Sequence, residues 1–273
     1  MSKTWFITGT SSGFGLEMTE RLLERGDRVA ATLRNPTQLT SLKARYPSRL
    51  WLAQLDVTKA EDVRKVMDKA FAELGQIDVI VSNAGYGLAG AAEELTDAQI
   101  ARLLNTNVLG SIQVIRAALP HLRQQGGGRI VQLSSMGGQV TFPGLSLYHT
   151  SKFAMEGFVE TVAQEVAEFN IEFTLVEPGT AQTSFTSGME MAEPLAAYDN
   201  NGIRQLLASW PNVGDAKKMV REMIASVDRS PAPRRLTLGS DAWTLVHAAL
   251  TARLAELEAQ REIAFSTDSD SLS

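Results

Sequence analysis

Two residues able to do proton chemistry lie one helical turn apart, Tyr148 and Lys152 in "YHTSK" (148–152). At a separation of four residues their side chains share a helix face and can meet. A phenol normally loses its proton near pH ~10, and an ammonium beside it favours the phenolate. Such a pair suits proton exchange with a substrate oxygen, although a surface Tyr–Lys pair is the commoner explanation of so short a pattern taken alone. A second stretch, "TGTSSGFG" (8–15), suits an anion. Gly9 permits a tight turn, while Gly13 and Gly15 let backbone approach a pyrophosphate and a helix pack on a sheet; the helix N-terminus then offers free N–H groups and its positive dipole end. The spacing is G-x-x-x-G-x-G rather than the commoner G-x-G-x-x-G, and glycines also punctuate loops for steric reasons alone.

These residues need elements to hold them. Apolar runs predict strands at 4–8, 28–33, 50–55, 77–82, 129–134, 171–176 and 234–238. Helical patterns lie between them, at 14–25, 37–45, 59–74, 97–125 and 149–169, with two more at 215–227 and 241–261. Phe153, Met155, Phe158, Val159, Val162, Val166 and Phe169 give the helix that begins with the Tyr–Lys pair a buried face. Trp243, Val246, Leu250, Leu254 and Leu257 form one stripe on the last helix. Strand–helix alternation at this spacing implies right-handed crossovers and a mainly parallel sheet covered on both faces, which is why the strands are nearly continuous in apolar residues. The expectation is a single α/β domain over 1–265. Residues 184–213, which mix Met189, Met191, Leu195 and Trp210 with Gly and Pro, fit the alternation poorly and read as a lid. The polar tail 266–273 is expected to be disordered.

Composition removes several classes of function. The 273 residues are 44% hydrophobic and 21% charged, as in globular proteins, and the net charge of −5 argues against nucleic acid as a partner. Without cysteine there is no disulfide, thiol nucleophile or thiolate metal site. His121, His149 and His247 lack metal-ligand spacing, so no metal is expected, and His149 reads as a solvated neighbour of the helix. No apolar run suits a membrane span and "MSKTWFIT" has no leader character, so no membrane partner and a cytoplasmic location are expected.

The motifs in their order resemble the short-chain dehydrogenase/reductase family, in its short single-domain branch, from about residue 4 to residue 183. The family's T-G-x-x-x-G-x-G is similar to "TGTSSGFG", with Phe14 where Ile is usual. Asp56 and Val57 match its "D-V" after strand three. "SNAG" (82–85) matches N-N-A-G, with Ser82 in place of the first Asn and with Asn83, Ala84 and Gly85 retained. Asn107 matches the helix-four Asn, Ser135 the serine thirteen residues before the tyrosine, and Tyr148 and Lys152 the Y-x-x-x-K pair. Pro178–Gly179 and Thr183 match the segment after strand six. The resemblance implies a doubly wound (Rossmann), mainly parallel seven-stranded sheet. It also implies a nicotinamide cofactor contacted by Gly9, Ser11, Ser12, Gly13, Phe14, Gly15, Asp56, Val57, Asn83, Ala84, Gly85, Tyr148, Lys152, Pro178, Gly179 and Thr183. Tyr148 would then be general acid in ketone reduction and base in the reverse, and Lys152 would lower its pKa and bind the ribose. Ser135 would hydrogen-bond the substrate oxygen, and Asn107 would hold a relay water. Many relatives dimerise through the helices corresponding to 97–125 and 149–169, so a homodimer or homotetramer is expected.

Cofactor choice turns on "AATLRN" (30–35). NAD-preferring members usually carry an acidic residue there; this chain has Leu33 and then Arg34, whose guanidinium could clasp a 2′-phosphate. NADP(H) is therefore expected over NAD(H), although Ser12 stands where many NADP-preferring relatives are basic. The substrate walls are expected from Phe142, Leu145, Phe185, Met189, Met191, Leu195 and Trp210, with Arg204 as their one basic member. They suit a bulky apolar or aryl ketone or aldehyde, as in the carbonyl reductase, hydroxysteroid and retinol dehydrogenase-like members. The alternatives are an NAD-dependent alcohol or hydroxysteroid dehydrogenase and a catalytically silent dinucleotide-binding sensor or scaffold.

Overall fold

Strand β1 (Thr4–Thr8) is buried along its whole length, so its alternating side chains serve two separate cores. Trp5 and Ile7 pack on one face with Met18, Leu22, Val220 and Met223. Phe6 packs on the other with Ile80, Val114, Ile115, Met155 and Val159. Each such side chain, fully buried, contributes roughly 1.5–3 kcal/mol relative to exposure, and this two-faced demand keeps the strand apolar throughout. The computed structural model describes residues 2–269 except 182, 184, 186–187, 199–204, 206–208 and 210–212.

The remaining strands are β2 (Arg28–Leu33), β3 (Leu50–Gln54), β4 (Val79–Ser82), β5 (Leu88–Ala89), β6 (Gly128–Leu133), β7 (Ile171–Pro178), β8 (Glu190–Met191) and β9 (Arg235–Leu238). Seven form one sheet in the order β3-β2-β1-β4-β6-β7-β9, with every pairing parallel; β5 and β8 pair separately. Helices α1 (Gly13–Arg25) and α7 (Ala216–Ser226) contribute to the first core. Helices α3 (Ala60–Leu74), α5 (Ser111–Gln124) and α6 (Ser146–Glu165) contribute to the second. Strand order reverses between β1 and β4, which opens the crevice where such sheets bind ligands.

Four local expectations need correction. The stretch 97–125 is not one continuous helix: α4 (Asp97–Leu104) passes into a π-helical segment, Asn105–Gly110, before α5. The segment turns Asn107 inward and lets Gly110 sit where a Cβ would lie 2.8 Å from Val57 Cγ2. Helix α6 begins at Ser146 rather than 149, which places Tyr148 within its first turn. The stripe on α8 (Ser240–Ala259) does not pack as a whole: Val246 is buried with Ala242 against Met136 and Val140, but Trp243 and Leu257 are 62% and 67% exposed. Finally, the tail does not begin as coil, because helix α9 (Arg261–Phe265) is followed by turns in which Ser266, Thr267 and Asp268 donate amides back to it.

Candidate active site

The loops leaving the C-terminal ends of β1, β2, β3, β4, β6 and β7 surround a cavity of about 1200 Å³. Its glycine-loop wall is Gly9, Ser11, Ser12, Gly13 and Phe14. Gly9 has φ +71°, open to glycine without strain. Gly15 does not face the cavity; it lies beneath the loop, where a Cβ would stand 2.3 Å from the Gly9 carbonyl oxygen. Only a residue without a side chain lets α1 approach β1 this closely. Ser12, at the N-cap of α1, makes no capping bond with its side chain, and the first turn carries no acidic residue. The amides there are thus available to an anion.

Asn83 braces the loop from the neighbouring strand. Its Nδ2 donates to the carbonyls of Thr8 (2.8 Å) and Gly9 (3.0 Å), while the amides of Asn83 and Ala84 donate to Thr8 Oγ1 at 3.0 and 3.1 Å. With Ser82 in place of the family's first Asn, Thr8 and Asn83 thus brace the strand end between them. Arg34, Asp56, Val57, Ala84 and Gly85 line the same wall. Partial burial pushes the Asp56 carboxyl up, but hydrogen bonds from the Thr58 hydroxyl (2.7 Å) and amide (3.0 Å), with Lys59 and Arg34 nearby, hold it below the usual range. Asp56 is therefore an acceptor. The Arg34 guanidinium makes no hydrogen bond among the described residues and faces the cavity.

The far end brings Ser135, Tyr148 and Lys152 together. Ser135 follows β6 in extended backbone, accepts a hydrogen bond from the Gly137 amide (3.0 Å), and lines the cavity together with Tyr148. Lys152 Nζ donates to the Leu133 carbonyl (3.0 Å) and lies 5.6 Å from the Tyr148 ring centroid. Burial pushes the Tyr148 phenol up to about 12, against the Ser135 hydrogen bond. Burial also pulls Lys152 down to about 8, against the Glu156 carboxylate. The expected lowering of the phenol by Lys152 is not seen here, where burial dominates, and at neutral pH the tyrosine is a protonated donor beside a cation. Helix α6 is fixed in rotation by Arg235, which pairs with Glu156 and Glu160 on α6 and with Glu177 on β7.

Asn107 stands behind this group rather than in the cavity wall. Its side chain donates to the Tyr86 carbonyl (2.9 Å) and Ser151 Oγ (3.2 Å) and accepts from the Tyr86 amide (3.1 Å). Pro178, Gly179 and Thr183 line the cavity, and the turn is held by Asp241, which accepts from the amide and hydroxyl of Thr180, each at 2.8 Å. Of the expected substrate walls, Phe142, Leu145, Phe185, Met189 and Met191 line the cavity, and the Phe185 ring lies 5.6 Å from that of Tyr148. Leu195 does not: it is 41% exposed, and its amide is tied away to Glu94 (3.0 Å). Trp210 and Arg204 lie outside the described residues.

Sequence reasoning missed a polar corner, where Arg102 pairs with Glu190 (2.6 Å) beside Tyr86, all three lining the cavity. Nothing in their spacing brings α4 and β8 together. It also misjudged His149, which is 4% exposed and hydrogen-bonded at both ring nitrogens, not solvated. Its place beside Tyr148 was the available signal.

The short chain dehydrogenase family model matches residues 3–194. The chain belongs to that family. Oxidoreductase BOA17 of Botryotinia fuckeliana is 36% identical over 98% of this chain and 100% of that protein. A 3-ketodihydrosphingosine reductase of Bacteroides thetaiotaomicron is 36% identical over 68% of this chain and 67% of its own. Among solved structures, a short-chain dehydrogenase from Streptomyces avermitilis superposes with a TM-score of 0.91 at 37% identity, covering 98% of this chain and 100% of that one. ElxO with NADP bound superposes at 0.74 and 25% identity, covering 89% and 100%. As a short-chain dehydrogenase the chain is an oxidoreductase with the Rossmann-type sheet described above. Among the described residues no helix is long and apolar enough to cross a membrane, and no cluster of His, Asp or Glu suits a metal ion.

Proposed function

We propose that this short-chain dehydrogenase is an NADP(H)-dependent carbonyl reductase, reversible towards the alcohol, acting on ketones or aldehydes with a bulky apolar or aryl body. The observation that carries the reading is the grouping of Ser135, Tyr148 and Lys152 at the far end of the cavity whose other wall is the glycine loop. A volume of about 1200 Å³ exceeds the ~300–1000 Å³ of an ordinary small-ligand site. It fits a dinucleotide with a second molecule beside it.

The glycine loop and first turn of α1 would hold the pyrophosphate, Asp56 the adenine amino group, and Pro178–Gly179 with Thr183 the nicotinamide. Arg34, at the end of β2 with an uncommitted guanidinium, would receive the 2′-phosphate. The NADP bound to ElxO supports that choice. NADPH supplies a hydride to the carbonyl carbon when bound. Ser135 Oγ donates a hydrogen bond to the carbonyl oxygen, a contact that strengthens as negative charge develops. Tyr148 gives its phenolic proton to that oxygen, and the Lys152 ammonium offsets the charge left on the phenol. Asn107, by locking Tyr86 and Ser151, holds the wall behind the pair; a relay water beside it remains part of this proposal.

The apolar members of the substrate wall, Phe142, Leu145, Phe185, Met189 and Met191, favour an apolar body, and methionines adapt to irregular shapes. The Arg102–Glu190 pair cancels its own charge and does not favour an anionic substrate. The ketone named in the Bacteroides relative is consistent with this preference. The test is consumption of NADPH across a ketone series. kcat/KM rising with apolar size is expected, whereas a preference for small charged keto acids would overturn the substrate class.

A further inference from the structure

His149 lies one residue beyond Tyr148 on α6, its ring centroid 6.0 Å from that of the tyrosine, and it borders the same cavity while almost wholly buried at 4% exposure. The amide of Phe142 donates to its Nε2 at 2.9 Å. A backbone N–H can only donate, so Nε2 must be the bare nitrogen, and Nδ1 carries the proton. That proton points at the Gly137 carbonyl, 2.9 Å away. The ring is thereby fixed as one neutral tautomer, and burial holds its pKa below the ordinary value, against the Gly137 bond.

Each end of the ring holds a different part of the site. Gly137 is the residue whose amide donates to Ser135 Oγ (3.0 Å), so the Nδ1 end anchors the turn that presents Ser135. A Cβ on Gly137 would stand 2.8 Å from Nδ1, so the turn approaches the ring as closely as a glycine allows. The Nε2 end anchors the backbone of Phe142, whose ring packs 5.6 Å from the imidazole and lines the substrate cavity. A chain of bonds runs from Ser135 through Gly137 and the imidazole to Phe142, and the imidazole rides on the same helix turn as Tyr148.

We propose that His149 is a positioning residue for carbonyl reduction, its Nδ1–H setting the Ser135 turn and its Nε2 setting the Phe142 wall. This rests on the reductase reading of the same site. The two ends of one ring then govern two different kinetic quantities. The Ser135 end acts on the transition state and so on kcat, whereas the Phe142 end acts on substrate binding and so on KM for bulky ketones.

Two conservative variants separate the ends. His149→Asn keeps a donor near the Nδ1 position and loses the acceptor for Phe142. His149→Gln offers an acceptor near the Nε2 position and loses the donor to Gly137. With NADPH and an aryl ketone, His149→Asn is expected to raise KM about tenfold with kcat within about threefold of wild type. His149→Gln is expected to lower kcat at least about tenfold with KM near wild type. NADPH affinity, read by fluorescence titration, should be unchanged in both. Active wild type with variants that change kcat and KM together, or change neither, overturns the His149 role alone. Wild type inert towards every ketone overturns the reading beneath it as well. Independently of turnover, long-range 1H–15N spectra of the wild-type ring at neutral pH should report a protonated Nδ1 and a bare Nε2. The opposite tautomer, or a ring exchanging between both, would overturn the geometry on which the role depends.

Discussion

The glycine-loop wall of the cavity and the opposite wall formed by Phe185 and Gly188–Met191 are held by different kinds of contact. The first is backbone at the ends of buried parallel strands, tied by Asn83 and Thr8 and closed by a helix that only Gly15 allows so near. The second hangs on a two-residue strand pairing, β5 with β8, and on exposed side-chain bonds such as Arg102–Glu190 and Tyr198–Glu93. Met191 and Phe185 are 46% and 36% exposed even though they line the cavity. Chemistry common to a family sits on elements that cannot move without cost, while selectivity sits where side chains can change without unfolding the sheet.

The sharpest way to break this contrast is at Gly15. Gly15→Ala drives a methyl into the Gly9 carbonyl, and a strained core of this kind costs ~1–3 kcal/mol of stability. NADPH affinity should fall at least about tenfold, since the phosphate loop must shift. Thermal denaturation with a cofactor titration measures both, and an unaltered affinity would contradict the packing at this turn. Next in size is Arg34→Ala, expected to weaken NADPH by ~1.5–3 kcal/mol through lost charged hydrogen bonds while leaving NADH unchanged. Equal losses for the two cofactors would remove the 2′-phosphate role.

A pH series probes the far end of the cavity, where Lys152 stands. Lys152 is cationic below about pH 8 and neutral above it in the unliganded chain. The 2′-phosphate has finished ionising well below that, with its second pKa near ~6. NADPH and NADH affinity should therefore both decline as pH rises through 8, and a flat profile would mean that the ammonium does not hold the ribose. The smallest effect belongs to β8. Glu190→Gln breaks an exposed ion pair worth ~0–1 kcal/mol, so stability and NADPH affinity should barely change while KM for ketones shifts a few-fold. A large loss of cofactor binding there would erase the distinction between the two walls.

Legibility in the sequence divides along similar lines. The inner strands of the sheet were readable because burial on both faces forces runs such as "TWFIT", and the glycine loop and "YHTSK" because their chemistry needs fixed residue types at fixed spacing. The π-helical segment at Asn105–Gly110 was not, since the apolar pattern of 97–125 continues smoothly through the extra backbone residue per turn. Nor was the exposure of Trp243 and Leu257, because periodicity reports that a helix has an apolar stripe and not what covers it. Leu195 failed for a related reason: its apolar side chain suggests a place in the substrate wall, but only the bond from its amide to Glu94 shows which way that stretch turns. The raised phenol of Tyr148 depends on burial, which two residues four apart do not encode.

Everything proposed for this site depends on the proton that Tyr148 is held ready to donate. Tyr148→Phe removes that proton and leaves the glycine loop, Arg34 and Lys152 in place. Turnover of an aryl ketone with NADPH, measured beside NADPH binding on the same preparation, is the decisive comparison. Turnover is expected to fall at least about a hundredfold, with cofactor affinity within about twofold of wild type. A Tyr148→Phe enzyme that kept more than about a tenth of wild-type turnover, with chemistry rate-limiting, would contradict the assignment of Tyr148 as the proton donor.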